Sequence, residues 1–160
     1  MKGCILTMAI RNVIKRDDEI LYKQCRPVEV FDKRLHTILD DMKETLYHAN
    51  GVGLAAPQVG ILRCYCVIDT GEGYFELINP KIISSSGSQR AVEGCLSCPN
   101  DWGYVTRPNV VKFKAQDRNG KWYEKEVQEL FARAVCHELD HLKGKLFVEK
   151  IEERVQVEQK

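Results

Sequence analysis

Three features of this 160-residue chain predict an α+β fold with largely antiparallel sheets. They are an amphipathic helical pattern from Asp32, a middle region of short strand-like runs separated by glycine-containing turns, and a second amphipathic stretch near the end. A composition of 44% hydrophobic and 29% charged residues suits one globular domain over residues 1–160 with a proper core. No internal repeat and no linker interrupts it.

Residues 3 to 10 are mostly apolar, but Arg11 ends the run without a small-residue cleavage site, so it does not read as a signal peptide. No window reaches the length of a membrane span. Residues 9 to 30 break at Arg26-Pro27, which implies extended segments and turns with at most one short helix. From Asp32, a plausible N-cap, Leu35, Ile38, Leu39, Met42 and Leu46 make a helical stripe that Asn50-Gly51 stops. His36 and His48 on this helix read as surface or packing residues.

The stretch Gly51-Val52-Gly53-Leu54-Ala55-Ala56-Pro57-Gln58 has two glycines flanking a β-branched residue, a backbone that another group must approach closely. It lacks the Lys-Ser/Thr of a phosphate loop. Gln58, at its edge, can aim an amide donor at a substrate oxygen. Residues 63–69 and 74–79 read as strands joined by Gly71-Glu72-Gly73, with 81–85 continuing the sheet and 84–89 as a loop. Strands are predicted at 102–107 and 110–117, and Asn119-Gly120 turns the chain into 121–127. The last helix is expected to start near Val127, and residues 149–160 to be a solvated helix or frayed tail.

Charge and cysteines exclude some partners. Twenty-four basic against 23 acidic residues argue against nucleic acid or an anionic membrane held by bulk charge. Seven cysteines, an odd number at irregular spacing, fit a reducing cytosol better than a disulfide framework. Cys64 and Cys66, two apart in a strand-like run, share one face.

The chemistry concentrates at Cys136-His137-Glu138-Leu139-Asp140-His141. On a helix, His137 and His141 lie one turn apart on one face, where two imidazoles can hold one metal ion. Glu138 sits about 100° further round, placed to act as a base without being a ligand. Leu130, Phe131, Ala134, Val135, Leu139 and Leu142 give the segment the stripe of a buried helix, and buried histidines need partners. A third ligand must come from elsewhere, and Cys95 and Cys98 are the candidates. Together they would close a structural zinc site with two cysteines and two histidines. Against that stand the separation of the two pairs and the strand-like character of Leu96-Ser97, which would face the two sulfurs opposite ways. A thioredoxin-like redox pair is weaker, since no helix begins at Cys95.

The stretches Gly51 to Gln58, Glu93 to Ser97 and His137 to His141 resemble, in order and spacing, the three signature motifs of the peptide deformylase family. The similarity runs from Arg26-Pro27-Val28 through Gly144-Lys145-Leu146-Phe147. The resemblance implies antiparallel sheets packed around a central C-terminal helix that carries the metal-binding motif. It implies Cys95, His137 and His141 as ligands of one divalent ion, Glu138 as general acid/base, and Gln58 with the Leu96 N–H as donors to the formyl oxygen. Gly51, Val52 and Gly53 would pair with the substrate as an added strand, Glu93 would join the substrate-binding set, and Leu130 and Ala134 would wall the methionine pocket. Cys98 would have no catalytic role.

The implied reaction is hydrolysis of the formyl group from N-formylmethionine on nascent chains, in the cytoplasm, with transient ribosome contact and no membrane or sequence-specific nucleic-acid partner. Ferrous iron is the expected ion, with zinc or nickel able to occupy the site, and iron beside a thiolate implies oxygen sensitivity. Trp102 stands where some bacterial members carry arginine, and Arg133 replaces an apolar pocket residue of others; both bear on peptide preference. The rival readings are a metalloprotease and the closed zinc site.

Overall fold

A computed structural model describes residues 9–156; residues 3–8 of the N-terminal apolar run and 157–160 of the tail lie outside the described residues. The first long helix, α1 (Lys33–His48), begins where the Asp32 carboxylate accepts from the Leu35 N–H at 3.0 Å. Its buried side is Leu35, Leu39, Met42 and Leu46, the stripe the periodicity predicts. Each such side chain contributes about 1.5–3 kcal/mol of transfer free energy. His36 Nε2 contacts the Arg118 carbonyl at 2.7 Å and His48 is exposed, so both are packing or surface residues.

Eight strands follow: β1 (Gly53–Ala55), β2 (Tyr65–Asp69), β3 (Tyr74–Ser86), β4 (Gln89–Cys95), β5 (Cys98–Arg107), β6 (Val110–Gln116), β7 (Trp122–Gln128) and β8 (Glu153–Arg154). They form a five-stranded sheet in the order β1-β2-β3-β6-β7 and a three-stranded sheet β4-β5-β8, with every neighbouring pair antiparallel. Alternation along β2 divides the core. Tyr65 and Val67 face α1, whereas Cys66 and Ile68 face the second helix, α2 (Glu129–Leu142). Cys64 shares the Cys66 side, as their spacing predicts.

The central helix α2 packs Phe131, Ala132, Val135, Leu139 and Leu142 against the five-stranded sheet. Its other side meets the three-stranded sheet, where Arg133 donates to the Val105 carbonyl of β5. The helix starts two residues later than Val127 because Val127 and Gln128 still pair with Val111 and Val110 in β6. At the junction Glu129 takes a left-handed φ of 56°, pinned by its N–H on the Asn109 carbonyl and by Gln89 donating to its own carbonyl. Gly144, with φ 74°, follows the helix end; a Cβ there would lie 2.5 Å from the Tyr22 carbonyl oxygen.

Three expectations change. Strand β3 runs through Ser86, so the loop expected at 84–89 shrinks to Gly87-Ser88, because Ser84, Ser85 and Ser86 pair with β6 even though their side chains are exposed. Leu96-Ser97 is not strand but a two-residue turn between β4 and β5, with Cys95 and Cys98 as register partners. Among the described residues, 151–156 are not helical, and the chain before them has only a short 3-10 turn at Phe147–Lys150. It continues as β8, which pairs with Gly103 and Tyr104 while Arg90 bridges Glu152 and Glu153.

Candidate metal centre

The signature stretches of β1, β4 and α2 meet at the bottom of a cleft of about 500 Å³. Its walls include Gly51, Val52, Gly53, Gln58, Cys95, Leu96, Leu130, Ala134, His137 and Glu138. The sites predicted from the sequence therefore come together, although they lie far apart along the chain.

The donor atoms of Cys95, His137 and His141 all lie within 4.8 Å of one another, and Cys95 Sγ is 3.4 Å from His141 Nε2. Thiolate and imidazole ligands around one tetrahedral ion sit about 3.4–3.6 Å apart, so the spacing suits a single ion. Cys98 does not join this group; its side chain belongs to a separate apolar cluster with Leu21, Val105, Leu146 and Phe147. The turn at Leu96-Ser97 makes Cys95 and Cys98 partners across a hairpin rather than residues of one strand, and Cys98 packs in that apolar cluster and is not one of the clustered donors.

Ring orientation is set by a buried ionic frame. Glu93 Oε1 accepts from His137 Nδ1 at 2.8 Å, and a carboxylate can only accept, so the ring proton is on Nδ1 and Nε2 faces the site. Arg107 grips Glu93 with two hydrogen bonds of 2.9 Å and reaches Asp140 at 2.7 Å. Arg133 adds a further contact to Glu93 Oε2. Burial alone would raise the Glu93 carboxyl, but the Arg107 and His137 hydrogen bonds and charges prevail and hold it far below the usual carboxylate range. Both Glu93 oxygens are engaged by Arg107, Arg133 and His137, so Glu93 orients the His137 ring while it also borders the cleft. Arg133 likewise serves this frame, although it also borders the cleft.

Glu138 is buried and its Oε2 has no hydrogen-bond partner among the described residues, an orphan that a site for an ion and a reacting water would satisfy. Burial pushes its carboxyl up to about 7, against the lowering effect of His137. Burial, then the charges of His137 and Arg107, push His141 well below its ordinary value, which keeps it neutral and ready to ligate. The Cys98 thiol, burial and the Glu138 charge push the Cys95 thiol far up, a proton that ion binding would displace. Gly53 is needed beside Glu138: a Cβ there would lie 2.7 Å from Glu138 Oε1.

Gln58 is buried at the cleft floor. Its Oε1 accepts from the Ala55 N–H at 2.9 Å, and its Nε2 donates to Ser97 Oγ at 3.0 Å and lies 3.6 Å from Cys95 Sγ. The orphan carboxylate, the three convergent donors and the soft, mixed donor set all fit a divalent transition metal. The sequence reading missed Ser97, Arg107 and Asp140. Ser97 and Asp140 lie inside the quoted motifs, whereas Arg107 carries no local signal, being a strand-end arginine before Pro108.

Residues 10–157 match the sequence profile of the polypeptide deformylase family. The chain belongs to that family. A peptide deformylase of Caldicellulosiruptor bescii is 58% identical over 144 residues, which cover 90% of this chain and 87% of that protein. The crystal structure of a peptide deformylase from Legionella pneumophila matches with a TM-score of 0.87 at 44% identity, covering 90% of this chain and 87% of that one. The crystal structure of a peptide deformylase from Synechococcus elongatus in complex with actinonin matches with a TM-score of 0.86 at 38% identity, covering 89% of this chain and 79% of that one.

Family membership settles the reaction class. The chain is a metal-dependent amide hydrolase that removes the formyl group from N-formylmethionine, and neither a metalloprotease nor a closed zinc site describes it. Among the described residues, no helix is long and apolar enough to cross a membrane.

Proposed function

We propose that Cys95, His137 and His141 hold the ion, that Glu138 moves the proton, and that Gln58 and the backbone N–H of Leu96 bind the formyl oxygen. One observation carries the reading: a buried carboxylate oxygen without a partner stands beside three convergent metal donors, at the end of an open cleft. When bound, a divalent cation supplies a Lewis acid that activates water and polarises the formyl oxygen.

Glu138 accepts the proton of the attacking water as its oxygen bonds to the formyl carbon. Negative charge then builds on the former carbonyl oxygen, where the Leu96 N–H donates together with the Gln58 N–H that rests on Cys95 Sγ and turns to the substrate; one such donor is worth about 3 kcal/mol. As the C–N bond breaks, Glu138 returns the proton to the leaving amine. Formate and a free N-terminal methionine result. Gly51, Val52 and Gly53 run along the free edge of β1, and β4 offers the edge opposite, so an extended peptide can pair between them. Leu130 and Ala134 then wall the methionine side chain. Crowding by Gln58, Leu96 and the ion favours a formyl carbon, which carries only hydrogen, over an acetyl group.

Ferrous iron is the proposed resident ion, with zinc or nickel as substitutes; one thiolate with two imidazoles suits all three. The six free cysteines among the described residues and the near-balanced charge support a cytoplasmic setting, with residues 1–160 acting as one catalytic unit in transient contact with the ribosome. Beyond the first residue, Trp102 is the proposed determinant of peptide preference. Its ring lies flat enough on Gly94 that a Cβ there would be 2.3 Å away, and it borders the cleft.

The test is formate release from a formyl-Met-Ala-Ser peptide beside its acetylated analogue and an unblocked peptide. Turnover confined to the formylated substrate is expected; comparable hydrolysis of the acetylated one contradicts the crowding argument, and cleavage of internal bonds contradicts the reaction.

A further inference from the structure

Cys98 does not hold the ion, yet it is placed where it can act on the residue that does. Cys95 and Cys98 are register partners across the two-residue turn Leu96-Ser97. Ends of a β-turn lie less than about 7 Å apart at Cα, and paired residues of an antiparallel ladder about 4.5–5.5 Å apart, inside the range of about 4.4–6.8 Å that a disulfide spans. Both side chains leave the same face of the hairpin, since Cys95 packs against the apolar cluster that contains Cys98. Access is one-sided. Cys95 borders the open cleft, whereas Cys98 is 1% exposed. An oxidant entering by the substrate route therefore meets Cys95 first and finds Cys98 behind it.

We propose that Cys95 and Cys98 are a reversible oxidation site, in which a hydroperoxide converts the metal-ligand sulfur to a disulfide with its hairpin neighbour and releases the ion. The Cys95 sulfur attacks one peroxide oxygen, the O–O bond breaks, and Cys95 becomes a sulfenic acid as water leaves. The Cys98 sulfur then attacks the Cys95 sulfur and expels the second water. Two thiols lose two electrons and two protons, and the peroxide is reduced to two waters. A disulfide sulfur has no thiolate charge to offer the ion, so the site loses its only anionic ligand. A thiol reductant reverses the step. Without Cys98 the sulfenic acid has no partner in the hairpin and proceeds to the sulfinic acid, which reductants do not restore.

Cys25, Cys64, Cys66 and Cys136 do not line the cleft by which an oxidant would enter, so they are not placed to compete with Cys95. Release of the ion rests on Cys95 being a ligand, as proposed above; formation of the disulfide does not.

The experiment treats the full chain, zinc-loaded, with a small excess of hydrogen peroxide. It follows zinc with a chromophoric chelator and maps the tryptic peptide spanning residues 91–112 by mass after alkylation. The expected result is a peptide lighter by two hydrogens and refractory to alkylation, zinc released in parallel, and both reversed by a thiol reductant. Cys98→Val should instead gain two oxygens at Cys95 and fail to recover zinc. A wild-type peptide that gains oxygens, or a disulfide mapped to Cys25 and Cys64, overturns the proposal whether or not the variant folds. A disulfide at Cys95 and Cys98 with zinc retained would uphold the oxidation site and contradict the ligand assignment.

Discussion

Replacing Glu93 by Gln keeps the volume of a buried side chain and removes the one charge that Arg107, Arg133 and His137 all face. Breaking a buried ion pair by removing one partner costs about 3–5 kcal/mol. Arg107 keeps Asp140 at 2.7 Å, so the lower end, about 3 kcal/mol, is the expected loss of folding free energy. The ion should suffer as well. An amide oxygen holds the His137 Nδ1–H less firmly than a carboxylate, and loss of such a support typically weakens metal affinity about 10–100-fold. Because the folded carboxyl lies below its unfolded value, its stabilisation is complete above the unfolded pKa and fades as pH falls through the folded one. Wild type should therefore lose stability below about pH 4, and Glu93→Gln should lose it less steeply. Chelator competition for zinc and denaturant unfolding of the metal-free chain, each across pH, measure both effects. Unchanged zinc affinity together with an unfolding change under about 0.5 kcal/mol would refute the reasoning.

As the proposed proton carrier, Glu138 predicts an acidic limb in kcat/KM between about pH 5 and about pH 7, since it must be unprotonated to take a proton and a bound cation's charge would hold its pKa below the raised value of about 7. A rate that stays flat from about pH 5 to about pH 8 would contradict that role. Gly53→Ala should leave zinc binding near wild type and lower kcat by about a hundredfold, because the added methyl displaces Glu138; a kcat within twofold of wild type, measured by formate release, would refute it. Trp102→Ala should lower kcat/KM by about fivefold for formyl-Met peptides with an aromatic second residue, and little for alanine there. An equal loss for both peptides would remove Trp102 as a determinant of preference.

Much of the site was legible because its chemistry is local. The turn spacing of His137 and His141, the glycines at 51 and 53 and the Cys95 stretch each carry a signal within a few residues. Helix α1 was equally plain, from its stripe and its Asp32 cap. What the sequence concealed depends on distant partners. The polar end of β3 and the Glu153–Arg154 strand show no alternation, and each is a strand because a neighbour pairs with it. Leu96-Ser97 carries none of the glycine, asparagine or aspartate that mark a two-residue hairpin turn, so its hairpin, and with it the pairing of Cys95 and Cys98, is hidden in the sequence. The grip of Arg107 on Glu93 spans 14 residues and leaves no local signal at either position.

The most direct measurement of the central claim pairs two readings on one sample: metal content and formate release for wild type and Glu138→Gln. Glu138 is not one of the three clustered donors, so on the proposed roles the variant should keep its metal and lose about 10²–10⁴-fold in turnover. A variant that sheds its metal, or that retains wild-type turnover with metal in place, would contradict the account.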